Sequence, residues 1–190
     1  MDKRLETLKK LNRAMQSYTL MLYEIILESR PERVLEIGTQ RGQSTKTMLL
    51  AMKKNNLGVL ISIDHKSRHD IMDAEYPDVK PYWRFIKGSS HDSETLKAAK
   101  DAFEDDKLYD LLFIDGDHKM PGIQQDWDDY VPLVKPGGVI IMHDICNANE
   151  EVSVAWNNIP KDWEKFAFNW GKAQNSIIPG LGIVRKPNIQ

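Results

Sequence analysis

The densest chemistry in the chain is Asp115-Gly116-Asp117-His118, three ionisable side chains in four residues directly behind the apolar run Tyr109–Ile114. A second pair, His143-Asp144, follows another apolar run, Val139–Met142. Carboxylates that meet at the ends of neighbouring buried strands repel each other, so they shift their protonation or share a cation. Asp115 and Asp144, with His143 beside them, are therefore candidate ligands of one divalent ion. Hard oxygen donors suit Mg²⁺, Ca²⁺ or Mn²⁺, and a histidine favours Mn²⁺ or a later metal. A hydrogen-bonded polar patch without metal uses the same residues. Successive strand residues face opposite ways, so His143 and Asp144 reach one ion only if a loop begins at His143.

Three further strand ends carry polar groups. Glu36-Ile-Gly38-Thr-Gln-Arg-Gly42-Gln-Ser44 follows the first apolar run. Gly38 and Gly42 permit a tight turn and close approach of a ligand to the backbone. A helix starting near Ser44 presents free N–H groups that suit a carboxylate or phosphate. There is no third glycine of a dinucleotide fingerprint and no Gly-Lys-Ser/Thr of a P-loop. Asp64 ends the second run, where a carboxylate either accepts vicinal ribose hydroxyls or caps a turn. The third is followed by Gly88-Ser89-Ser90-His91-Asp92, whose small polar groups either contact a ring or cap the next helix.

These positions become one site only if the runs lie side by side. The runs Arg33–Ile37, Gly58–Ile63, Trp83–Ile86, Tyr109–Ile114 and Val139–Met142 alternate with helical segments at Ser44–Lys54, His69–Glu75, Ser93–Glu104, Gly122–Val134 and Val152–Ile159. Strand–helix alternation predicts an α/β, Rossmann-like, doubly wound and mostly parallel seven-stranded sheet. Glu164–Trp170 and Leu181–Arg185, with no helix between them, predict an antiparallel C-terminal edge hairpin. In such sheets ligands lie beyond the carboxyl ends of the strands. An added N-terminal helix over residues 1–30 shows an apolar stripe of Leu5, Leu8, Leu11, Met15, Tyr18, Leu22 and Ile25, and Pro31 stops it. The stripe packs on the core, on a second subunit in a homodimer, or as a lid.

The 190 residues fit one domain, with residues 31–190 as the catalytic core. With 26 basic and 28 acidic residues, a formal charge of −2 argues against nucleic-acid binding by bulk electrostatics. The single cysteine, Cys146, forbids an internal disulfide and suits a reducing cytoplasm. No apolar run is long enough to cross a membrane, and the charged N-terminus lacks the apolar stretch of a signal peptide.

Taken in order, VLEIGTQRGQST, the acidic end of the second strand, GSSHD, FIDGDH and LVKPGGVIIMHDI resemble the class I S-adenosylmethionine (SAM)-dependent methyltransferases over residues 33–144. EIGTxxGxS resembles the catechol and caffeoyl-CoA O-methyltransferase type. DGDH followed by KPGGxIxxHD resembles the sugar O-methyltransferases and their cephalosporin-hydroxylase-like relatives. The resemblance implies methyl transfer to a hydroxyl oxygen of a small-molecule acceptor, assisted by Mg²⁺ or Mn²⁺. It implies that Glu36, Gly38 and Gly42 line the methionine end of SAM, with Ser44 near its carboxylate. It puts Asp64 on the ribose, Ser90 and His91 beside the adenine, and Asp115 where cofactor and metal sites join. Asp115 and Asp144 match metal ligands, and His118 or Asp117 matches the general base. The chain departs from both patterns. Ile145 stands where catechol-type enzymes place asparagine, and His143 replaces one of two carboxylates in the sugar type. The long acceptor-binding insertions of many members are absent. A non-catalytic SAM-binding module is the alternative. NAD-linked oxidoreduction is opposed by the missing third glycine and hydride-site residues.

Overall fold

The computed structural model describes residues 13–66, 77–105, 107–147, 151–169 and 180–188. Among these residues seven strands form one sheet: β1 (Arg33–Ile37), β2 (Val59–Asp64), β3 (Trp83–Lys87), β4 (Tyr109–Ile114), β5 (Val134–His143), β6 (Glu164–Phe168) and β7 (Leu181–Arg185). Their order is β3-β2-β1-β4-β5-β7-β6. The first five are parallel, and β7 runs antiparallel between β5 and β6. The expected sheet and edge hairpin are present. The order reverses between β1 and β4, so their carboxyl ends flank the topological switch point where ligands bind.

Among the described residues five helices cover the sheet: α1 (Arg13–Ser29), α2 (Gln43–Asn55), α3 (Ser93–Lys100), α4 (Gly122–Tyr130) and α5 (Val152–Asn158). Period-two alternation in the strands builds two cores. On one face Val34, Leu60, Phe113 and Ile141 meet Leu22 and Ile26 of α1 and Met48 and Leu49 of α2. On the other, Leu35, Ile61, Leu112 and Ile140 meet Ile123 and Tyr130 of α4 and Trp156 of α5. Because residues on both faces of the central strands are buried, those strands read as continuous apolar runs.

The apolar stripe of α1 lies on its own core through Tyr18, Leu22 and Ile26, with Ile25 half-buried. Leu5, Leu8 and Leu11 lie outside the described residues, as does the expected helix at His69–Glu75. Two expected helices end early. α3 stops at Lys100, and α4 gives way at Val131–Leu133 to a 3₁₀ turn around Pro132, which has no N–H to continue a helix. β5 begins at Val134 and carries Lys135-Pro-Gly-Gly inside it, past a register shift between Tyr109 and Leu111. A 3₁₀ turn over Pro77–Tyr82 was not anticipated. Among the described residues no helix is long and apolar enough to cross a membrane.

Candidate active site

The carboxyl ends of β1, β2, β4 and β5 open into a cleft of about 630 Å³. At one end the chain leaves β1 through Gly38, φ +88°, whose Cα packs so closely on the Asp115 carbonyl that a Cβ would lie 2.0 Å from its oxygen. No other residue fits there. Gly42, φ +73°, caps α2. Lys46 is the first residue of α2 to donate an in-helix bond, to Gly42, so the amides of residues 43–45 have no partner inside the helix.

Asp64 lines the cleft and ties the turn to β2. Its Oδ2 accepts the N–H groups of Thr39 (3.0 Å) and Gln40 (2.8 Å), and its Oδ1 accepts that of Lys66 (2.8 Å). A carboxylate offers about four acceptor sites; the other neighbour of Oδ1 is Nδ1 of the exposed His65, 3.4 Å away, a place that a ligand hydroxyl can take.

Glu36 and Ser44 serve this turn from below. Glu36 shares the face of β1 that Val34 turns toward α2 and is fully buried. It accepts the hydroxyls of Ser44 (2.5 Å), Thr45 (2.7 Å) and Ser62 (2.6 Å), and Ser62 in turn accepts Trp83 Nε1–H (3.0 Å). Burial pushes Glu36 up to about 7, against the pull of the three hydroxyls. The Glu36 side chain is not in the cleft wall, and the Ser44 hydroxyl is turned toward Glu36.

Ser90 and His91 line the neighbouring wall. Tyr130 Oη donates to the Ser90 carbonyl (2.8 Å), and His91 Nε2 stands 3.2 Å from Oδ1 of Asp126. Asp126 is fully buried on α4, burial raises its carboxyl, and its Oδ2 accepts the Asp117 amide (3.3 Å).

The far end of the cleft gathers the ionisable residues. His118 Nε2 is hydrogen-bonded to Asp115 Oδ1 at 3.2 Å, and its Nδ1 lies 3.7 Å from Asp144 Oδ2. His143 Nδ1 lies 3.2 Å from Asp115 Oδ1 and 3.1 Å from Asp144 Oδ2. β5 ends at His143, and Asp144 turns at φ +60°, the break that lets adjacent side chains converge. Burial disfavours charge here, but His143 and His118 hold Asp115 down at about 2. Against the same burial, Asp115 and Asp144 lift His143 to about 10. Asp117 turns away from this cluster: its Oδ1 accepts the Lys119 amide (2.9 Å) and its Oδ2 packs on Gly122 at the start of α4. Asp115, His118 and Asp144 each offer one ligand atom, all within 4.8 Å of one another. Two carboxylate oxygens and an imidazole nitrogen are donors that fit a divalent cation.

Three contributors carried no local sequence signal. Tyr18 of α1 lines the cleft with its ring 4.5 Å from that of His143. Asp126 reads as one acid among several on an amphipathic helix. Glu151 clamps the His118 loop, donating its N–H to the His118 carbonyl (2.9 Å) and accepting the Met120 amide (2.6 Å). Tyr130 and Trp156 are in the core, Trp127 packs on Trp163, and Trp170 lies outside the described residues.

Residues 35–145 match a family model described as a methyltransferase domain. A protein of Mycobacterium sp. (strain JLS) named "Putative O-methyltransferase" is 33% identical over 115 residues, covering 58% of this chain. The match spans about half (47%) of that relative's length. Among solved structures, the O-methyltransferase TomG from Streptomyces achromogenes, involved in tomaymycin synthesis and in complex with SAM, is similar with TM-score 0.69 and 15% identity, covering 98% of this chain and 91% of that one. An O-methyltransferase from Bacillus cereus in complex with SAH is similar with TM-score 0.67 and 18% identity, covering 98% and 92%. With the family model covering more than half of the sequence and the fold in agreement, the chain belongs to the methyltransferase-domain family.

Proposed function

We propose that this chain moves the methyl group of SAM to a hydroxyl oxygen of a small-molecule acceptor. The observation that carries the reading is the continuity of one cleft. A glycine turn, free helix amides and Asp64 form one end, and a histidine–aspartate cluster forms the other. In this reading the α2 amides take the methionine carboxylate beside Gly38 and Gly42, and Asp64 Oδ1 takes a ribose hydroxyl. Ser90 and His91 flank the adenine, while Glu36 acts as a positioning residue that fixes Ser44 and Thr45.

The sulfonium carbon is already activated, so the protein's main task is to hold the acceptor oxygen in line with it. The S–CH₃ bond breaks, the O–CH₃ bond forms, and the sulfonium becomes a neutral thioether. The acceptor proton goes to His118 at Nδ1, since Nε2 is engaged by Asp115. Asp115 and Asp144 favour the imidazolium that results. Asp117 is the weaker candidate because its carboxylate is committed to the Lys119 turn. Asp115 and Asp144 would hold a divalent cation. Such a cation supplies a Lewis acid that lowers the pKa of a bound hydroxyl.

The test is incubation with methyl-labelled SAM and a panel of hydroxylated acceptors, with and without chelator. Label should reach an acceptor oxygen and be lost in His118→Ala. Saturable SAH binding with no transfer to any acceptor would replace this reading with that of a binding module.

A further inference from the structure

His143 stands apart from the other polar groups of the cluster. Its side chain is 11% exposed, both ring nitrogens are sealed from solvent, and neither has a hydrogen-bond partner. Yet Nδ1 lies 3.2 Å from one Asp115 oxygen and 3.1 Å from one Asp144 oxygen. His118, at the same 3.2 Å from Asp115, does make a hydrogen bond. Distance alone therefore does not explain the orphaned state of His143; direction does.

Ligands of an octahedral cation reproduce this pattern. At metal–ligand distances of about 2.1–2.2 Å, adjacent ligand atoms sit about 3.0–3.1 Å apart, larger by √2. Each lone pair then points at the ion, about 45° away from the neighbouring ligand, too far off line for a hydrogen bond. The ring is held in this orientation by Tyr18, 4.5 Å away, and by Phe113, 6.4 Å away.

We propose that His143 Nδ1 is a nitrogen ligand, beside Asp115 and Asp144, of a borderline transition cation such as Mn²⁺, Fe²⁺, Co²⁺ or Zn²⁺, and that it turns the site away from Mg²⁺. Imidazole binds these ions far better than it binds Mg²⁺, which prefers oxygen donors and keeps its water. His118 stays outside the ligand set, hydrogen-bonded to Asp115. The inference rests on the methyltransferase reading only for what the cation would serve; the ligand set stands by itself.

The experiment uses the full chain stripped of metal, with Co²⁺, Mn²⁺ and Mg²⁺ titrated singly by calorimetry and the visible d–d bands of Co²⁺ recorded. Co²⁺ and Mn²⁺ should bind at least about tenfold more tightly than Mg²⁺. In His143→Gln this gap should shrink to a few-fold and the d–d spectrum should change, while His118→Gln keeps both. Equal or tighter binding of Mg²⁺ by the parent chain overturns the proposal without need of any variant. Unchanged selectivity and spectrum in a folded His143→Gln overturn the role of His143. SAH titrated into the metal-free protein separates the two readings: lost SAH binding refutes the methyltransferase assignment and leaves the metal result intact.

Discussion

His143 Nδ1 and Asp144 Oδ2 are 3.1 Å apart although the two residues are adjacent in the chain. The left-handed backbone of Asp144, φ +60°, makes this possible. Asparagine and aspartate tolerate that conformation, and a β-branched residue does not. Asp144→Val should therefore be less stable than Asp144→Asn by about 1–2 kcal/mol. Both lose the carboxylate charge, so that contribution cancels in the comparison. Urea denaturation of the two variants measures it, and equal midpoints would show that Asp144 carries no strain.

Asp64 joins the Gly38–Gly42 turn to the end of β2 through three accepted amide bonds. Truncation removes both the ligand contact and the tie on the turn. Asp64→Ala should weaken SAH binding by about 2–3 kcal/mol, on the order of 30- to 150-fold. Asp64→Asn keeps one carbonyl acceptor and should lose less. Calorimetry reads both, and an unchanged affinity in Asp64→Ala would remove Asp64 from the site.

The strand ends were legible because β-sheet topology converts sequence order into spatial neighbourhood. Asp64, Asp115 and Asp144 each follow an apolar run, and parallel pairing brings those ends to one edge. What was hidden depends on which way a side chain turns. Glu36 is one residue from the end of β1, and the two-residue period sends it under the turn, to Ser44 and Thr45. Local sequence does not tell a cleft-lining carboxylate from one that supports the cleft. Tyr18 was legible as a helix-stripe residue, but its placement against His143 depends on how α1 crosses the sheet, which no local spacing encodes. Strand alternation asks for a loop beginning at His143; instead β5 includes His143, and the positive φ of Asp144, one residue later, brings the two side chains together.

Glu36 should leave a signature in the pH dependence of stability. Its folded value, about 7, lies above the ordinary 4.5 because burial disfavours the carboxylate. The folded state thus binds more protons than the unfolded state between these values. The contribution is fully present below about 4.5 and is lost as pH rises through about 7. Glu36→Gln keeps an acceptor for the hydroxyls and cannot ionise. Its unfolding free energy should fall less than that of the parent across this window. Parallel curves for the two proteins by denaturant titration at fixed pH steps would show that Glu36 does not titrate there.

The N-terminal helix should affect the chemistry through one ring. Leu22 is fully buried in the core shared by α1 and α2, and Leu22→Ala should cost about 2–5 kcal/mol of stability through the cavity left behind. Tyr18 occupies the same stripe one turn earlier but also faces the cleft, 4.5 Å from His143. Tyr18→Phe preserves the ring that holds the imidazole and should leave transfer close to that of the parent. Tyr18→Ala frees the imidazole to rotate, and a displaced group at a reacting centre costs on the order of 10²-fold in rate. The measurement pairs kcat/KM for label transfer with SAH affinity by calorimetry. The expected pattern is a large fall in the first with at most a several-fold change in the second. A parallel loss of both would assign Tyr18 to the cofactor end of the cleft instead.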